Sequence, residues 1–158
     1  MFHHVSIGVS DLERARKFYD AALEPLGYTR LSTSDKWLGY GAEQPQLWIK
    51  LAERPVVPDM ESGLHFCFVA PNEEGVRAFH ANAMAGGGTD NGEPGIRPEY
   101  GSFYYAAFVI DPDGYRLEAF FRRPERRPAA RAVLNHPDRR ATACRNTLSP
   151  PPLIRLRR

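Results

Sequence analysis

Residues 2–10 alternate in polarity, with His3, Val5, Ile7 and Val9 on one side and His4, Ser6, Gly8 and Ser10 on the other. A period of two predicts a half-buried strand. The period then changes. Leu12, Ala15, Phe18, Tyr19, Ala22 and Leu23 recur at helical spacing behind Asp11, which suits an N-cap, and Pro25 and Gly27 end the helix. Strand-like runs follow at 28–32, 37–40 and 46–51, divided by Ser-Asp and Glu-Gln-Pro loop signals. Residues 53–62 read as a Pro-rich linker.

The second half restarts the first. At an offset of 61, His4 falls on His65, Asp11 on Asn72, Phe18 on Phe79, Ala22 on Ala83 and Gly27 on Gly88. These are a strand start, an N-cap, a buried helix face and a C-terminal glycine, the positions a strand–helix unit would keep. The last strands align at an offset of 68, Leu47–Leu51 on Tyr115–Ala119, which puts about seven extra residues into a loop at 92–101. The expected architecture is α+β, two paired βαβββ modules at 1–55 and 61–123. Equivalent first and last strands would then give four equivalent inward positions, His4, Lys50, His65 and Glu118.

Asp111-Pro112-Asp113-Gly114 reads as the turn of a hairpin between strands at 103–110 and 115–121. Its second strand carries Glu118 among Leu117, Ala119, Phe120 and Phe121. Burying such a carboxylate costs on the order of several kcal/mol unless a positive group receives it.

Composition sharpens this picture. The 158 residues are 42% hydrophobic and 25% charged, as in a globular protein. No run is long enough to span a membrane, and the first residues lack a leader pattern. With two cysteines, Cys67 and Cys144, a reducing cytoplasm is expected. Charge is segregated: nine arginines against Glu125 and Asp138 give 124–158 a charge of +7, leaving −5 for 1–123 within the total of +2. Six prolines and no apolar period make 124–158 read as a disordered basic tail. It lacks aromatic residues for base stacking, so nucleic acid is not the expected partner.

The chemistry lies in 1–123. Val5, Ile7 and Val9, and likewise Leu64, Phe66 and Phe68, belong on a helix-covered side, which sends His4 and His65 to the opposite face. His3 is the alternative to His4. Two histidines and one carboxylate with open positions is a ligand set for Fe, Mn, Zn or Ni.

These motifs carry a resemblance. His4-Val5-Ser6-Ile7-Gly8-Val9-Ser10-Asp11-Leu12, Phe18-Tyr19, Leu26-Gly27, Leu64-His65-Phe66 and the stretch from Asp111 to Glu118 make the chain resemble the vicinal oxygen chelate superfamily. That superfamily includes glyoxalase I, bleomycin resistance proteins, extradiol dioxygenases and fosfomycin-resistance thiol transferases. The resemblance implies an open barrel of paired modules, a divalent metal held by His4, His65 and Glu118, and a small substrate chelated through vicinal oxygens. It also implies a metal-dependent lyase or dioxygenase that can form a homodimer. A non-catalytic drug- or metabolite-binding protein and a thiol transferase are the alternatives.

Lys50 departs from the pattern, because four-ligand glyoxalase I has a carboxylate there. An ammonium cannot ligate a cation. Charges of +1 and +2 about 5 Å apart repel by about 7 kcal/mol at an effective dielectric of 20, and by about 3 kcal/mol once Glu118 is counted with the ion. Lys50 should turn away, lose its proton or hold a substrate anion. Catalytic roles fall to Glu118 and Lys50, and substrate contacts to Trp48, Lys50, Arg97, Tyr100 and Tyr104.

Overall fold

A computed structural model describes residues 2–56, 59 and 61–124. The expected basic tail, from residue 125 onward, lies outside the described residues. The order of elements is β1 (Val5–Val9), α1 (Leu12–Leu23), a 3-10 turn (Glu24–Leu26), β2 (Thr29–Thr33), β3 (Trp37–Gly41) and β4 (Leu47–Leu51). It repeats as β5 (Phe66–Val69), α2 (Glu73–Ala85), β6 (Thr89–Ile96), β7 (Tyr104–Ile110) and β8 (Arg116–Arg122). Each module folds its strands into one open mixed sheet, β1-β4-β3-β2 and β5-β8-β7-β6. The α+β architecture of two βαβββ modules is therefore the one the repeat predicts. No helix among the described residues is long and apolar enough to cross a membrane.

Both helices begin as their first residues dictate. The Asp11 side chain accepts from the Arg14 N–H, and Asn72 accepts from the Gly75 N–H at 2.8 Å. Each helix buries one stripe against its sheet: Ala15, Phe18, Tyr19, Ala22 and Leu23 on α1, and Val76, Phe79 and Ala83 on α2. Phe18, Tyr19 and Phe79 are wholly buried. Burial of a side chain this size stabilises by about 1.5–3 kcal/mol.

The modules differ in three details that the repeat does not anticipate. First, Gly27 takes a left-handed φ of 83°, but its counterpart in conformation is Gly87, with φ 92°, rather than Gly88. Gly88 is needed for space instead, since a Cβ there would lie 2.9 Å from the Phe18 ring and 3.0 Å from the Ile110 carbonyl oxygen. Second, the extra residues do not form one loop. β6 runs on to Ile96 through two irregular pairings, between Asp90 and Gly92 and between Gly92 and Gly95. It is an edge strand, where Pro94 removes no needed ladder bond. Third, Val5 pairs with Leu47 whereas Phe66 pairs with Leu117, so a first-strand offset of 61 accompanies a last-strand offset of 70, not 68. A shift of two residues preserves the face. The residue opposite Ser6 is thus Trp48 where the residue opposite Cys67 is Glu118, and Lys50 stands one inward position further along.

The Asp-Pro-Asp-Gly hairpin turn joins the modules. Asp111, 4% exposed, accepts from the Tyr19 hydroxyl at 2.7 Å and from the N–H groups of Asp113 and Tyr115. Asp113 accepts from the Ser10 N–H and hydroxyl and pairs with Arg14 at 3.0 Å. The Tyr115 hydroxyl donates to the Gly8 carbonyl. A motif that looks like a local turn signal therefore also anchors the second module to β1 and α1.

Candidate functional site

Side chains of β8 alternate. Leu117 and Ala119 enter the core under α2, and Glu118 and Phe120 take the opposite face. Glu118 is nevertheless only 3% exposed. One carboxylate oxygen accepts from the Tyr104 hydroxyl at 2.6 Å, and the other lies 3.1 Å from Nε2 of His65. Tyr104 is itself held, stacked on Phe120 with ring centres 4.0 Å apart, and Tyr100 packs edge-on against it. Burial first, and then the bond to Glu118, push the Tyr104 hydroxyl far above the ordinary tyrosine range, so it is a fixed donor.

Cys67 stands directly across from Glu118 on β5. The residue is exposed at the sheet edge, yet surrounding protein and then the Glu118 charge push its thiol up to about 12. That thiol stays protonated near neutral pH and is no ready nucleophile.

The first module presents a second cluster. His4, Ser6, Trp37, Trp48 and Lys50 line a hollow of about 390 Å³ on the sheet face away from α1. Gly39 makes room for the Trp48 ring, because a Cβ there would lie 2.8 Å from it. Nδ1 of His4 is 2.9 Å from Nδ1 of His3, so the two histidines considered for this position touch. Lys50 is exposed and forms no ion pair among the described residues. His65 and Cys67 also border a separate apolar cavity of about 510 Å³, walled by Phe2, Val5, Tyr28, Tyr40 and Phe68.

The structure thus joins His65, Glu118, Tyr104 and Tyr100 in one cluster and His4, Trp48 and Lys50 in another. Among the described residues of one chain no three His, Cys, Asp or Glu side chains form a metal-holding group. The pair that does meet suits a divalent ion: an imidazole nitrogen and a carboxylate oxygen at 3.1 Å can occupy neighbouring corners of a coordination sphere. No lysine or arginine pairs with Glu118 among the described residues. The bond from Tyr104 to Glu118 is not visible in the sequence, which marks Tyr104 only as a pocket aromatic. Arg97 lies at the far side of the same sheet, its guanidinium 5.2 Å from the centre of the Phe108 ring.

Comparison with known proteins agrees with this geometry. The family model described as the Glyoxalase/Bleomycin resistance protein/Dioxygenase superfamily matches residues 1–119. A lactoylglutathione lyase of Arabidopsis thaliana is 31% identical over 138 residues, covering 84% of this chain and 48% of its own length. A probable lactoylglutathione lyase of Vibrio cholerae is 31% identical over 123 residues, covering 73% of this chain and 86% of its own. The chain spans about half the length of two plant relatives it matches and 38% of a third. The crystal structure of a glyoxalase/bleomycin resistance protein from Albidiferax ferrireducens T118 superposes with a TM-score of 0.69 at 35% identity, over 77% of this chain and 99% of that one. The repeated modules, the hairpin ending in Glu118 and these likenesses agree, and the chain belongs to the glyoxalase/bleomycin resistance protein/dioxygenase superfamily.

Proposed function

We propose that the protein is a divalent-metal-dependent enzyme of glyoxalase type, acting on a small substrate that presents two vicinal oxygens. Its ligands are His4, His65 and Glu118. The set is completed when the first module of one copy faces the second module of another, making a homodimer with two sites. The observation that carries the reading is Glu118, a carboxyl 3% exposed whose partners are a tyrosine hydroxyl and a histidine ring rather than a lysine or arginine. Relatives named as lactoylglutathione lyases support lyase-type chemistry.

A bound divalent ion would supply Lewis-acid polarisation of the paired substrate oxygens. The protein's own residues do the rest. Tyr104 fixes the Glu118 carboxylate by donating to one oxygen, leaving the other, beside His65, to bind or to accept a proton. Trp48 and the stacked Tyr104–Phe120 pair give flat apolar walls that exclude water. Lys50 holds a substrate oxygen that carries negative charge, which separates this chain from the four-ligand arrangement.

The test is to strip the purified protein of metal and titrate it with Ni, Zn, Mn and Fe(II). Turnover of a panel of small substrates with vicinal oxygens, short 2-oxo acids and the methylglyoxal–glutathione hemithioacetal among them, is then followed with and without each ion. Stoichiometric binding of one ion per chain and turnover that requires it are expected. Failure to bind any of the four at micromolar concentration would overturn the reading and leave a small-molecule binding protein.

A further inference from the structure

One row of side chains crosses the second sheet. Cys67 stands opposite Glu118, Glu118 opposite Phe108 and Phe108 opposite Gly92, so the four positions run from β5 to β6 on one face. The guanidinium of Arg97 covers the Gly92 end of this row. It lies 5.2 Å from the centre of the Phe108 ring, and Nη2 donates to the Glu93 carbonyl at 2.6 Å.

The seat for this guanidinium is built in. A Cβ on Gly92 would lie 3.1 Å from Nη2 of Arg97 and 3.1 Å from the Phe108 ring, and Gly92 has a φ of 149° that disfavours other residues. The Arg97 backbone is held as well: its N–H donates to the Tyr104 carbonyl at 2.8 Å, and its carbonyl accepts from the N–H groups of Tyr100 and Gly101. The residue that positions Glu118 is therefore backbone-paired to the residue that carries the cation.

Arg97 differs from five other arginines of this fold. Arg14, Arg16, Arg30, Arg77 and Arg123 each pair with a carboxylate. Arg97 pairs with none among the described residues, and its Nε is buried without a hydrogen-bond partner. Asp90, whose carboxylate feels the Arg97 charge, is held by His80 at 2.7 Å. A forked cation laid on an aromatic ring with unused donors is suited to a planar anion. Neighbouring strands are about 4.8 Å apart, so the Gly92 position that the Arg97 guanidinium covers is about 10 Å from Glu118 along the row.

We infer that Arg97 is a specificity residue that binds a carboxylate of the substrate distal to the oxygens held at Glu118, so that the substrate is an acid carrying both groups a few bonds apart. This rests on the reading of Glu118 as the centre of the site. The aromatic Phe108 between the two polar ends fits a short apolar linker.

The test uses matched pairs of ligands with the full chain: 2-oxoglutarate against 2-oxovalerate, and 2-oxoadipate against 2-oxohexanoate. Each pair differs only in a distal carboxylate replaced by methyl. Calorimetry should show at least one diacid binding about tenfold tighter than its partner, with the preference weakening as salt is raised. Arg97→Gln should abolish the preference and Arg97→Lys should keep part of it, which a loop-bracing role would not produce. Absence of a preference in the unaltered protein, absence of binding included, or its survival in Arg97→Gln would overturn the inference. Metal titration of the same samples separates the two claims. Metal binding without the preference removes only this inference, and an Arg97-dependent preference without metal binding removes only the metal reading.

Discussion

Replacing Asp111 with Ala should destabilise the protein substantially although it removes no apolar contact surface. The carboxylate accepts three hydrogen bonds, and one donor, the Tyr19 hydroxyl, belongs to a residue with no exposed surface. Stranding a buried hydroxyl costs about 1–3 kcal/mol, and two turn N–H groups lose their acceptor as well. Part of this is offset, because burial raises the Asp111 carboxyl above its usual range and the alanine no longer buries a charge. The net loss is about 3 kcal/mol, which lowers Tm by about 10 °C for a domain of this size. The pH dependence has a definite sign. A carboxyl whose native pKa is raised binds its proton more tightly in the folded than in the unfolded state. Its contribution is full below the ordinary carboxylate range and declines as pH rises through the native value. The gap between the unaltered protein and Asp111→Ala should therefore be wider at pH 4 than at pH 7. Urea melts at both values, with Tyr19→Phe and the double variant completing a cycle, measure the terms. A loss under about 1 kcal/mol, or a gap that widens with pH, would refute this account of the hairpin.

Two predictions concern the site. Lys50→Glu exchanges a repelled cation for an oxygen ligand in the hollow beside His4, so metal affinity measured by competition with a chelating dye should rise by about tenfold or more. Unchanged affinity would mean that Lys50 does not reach the ion. Tyr104→Phe removes the donor that orients Glu118 while keeping the ring stacked on Phe120. Metal affinity should fall by about 10–100-fold with little change in melting temperature, and an unaltered affinity would show that the hydroxyl is dispensable.

Much of the fold is legible in the chain because it rests on local chemistry. Asp11 and Asn72 announce their helices, and the spacing of Phe18 and Phe79 identifies the buried stripes. Glu118 is conspicuous because a carboxylate among apolar strand residues needs a reason. What is hidden depends on contacts between distant residues. The two-residue slip of the last strand leaves every side chain on the same face, so alternation cannot reveal it, yet it moves Lys50 off the position matching Glu118. Gly92, Pro94 and Gly95 read as loop because an edge strand with irregular pairings accepts residues that an interior strand rejects. The roles of Asp111 and Asp113 in joining the modules are invisible for a similar reason. Their partners Tyr19 and Ser10 lie about a hundred residues away, at separations of 92 and 103. The same holds for Tyr104, whose bond to Glu118 spans a separation of 14 residues and depends on the stack with Phe120.

The central claim is that His4 of one copy completes the pair formed by His65 and Glu118 of another. Mixing His4→Ala protein with Glu118→Ala protein, after partial unfolding and refolding together, tests it most directly. Neither variant alone should hold the ion tightly. If the site is shared, each mixed dimer contains one site with all three ligands intact. Random pairing makes half the dimers mixed, so about one quarter of all sites should recover tight metal binding, as measured by equilibrium dialysis. A mixture that binds no more metal than its separate components would contradict the claim.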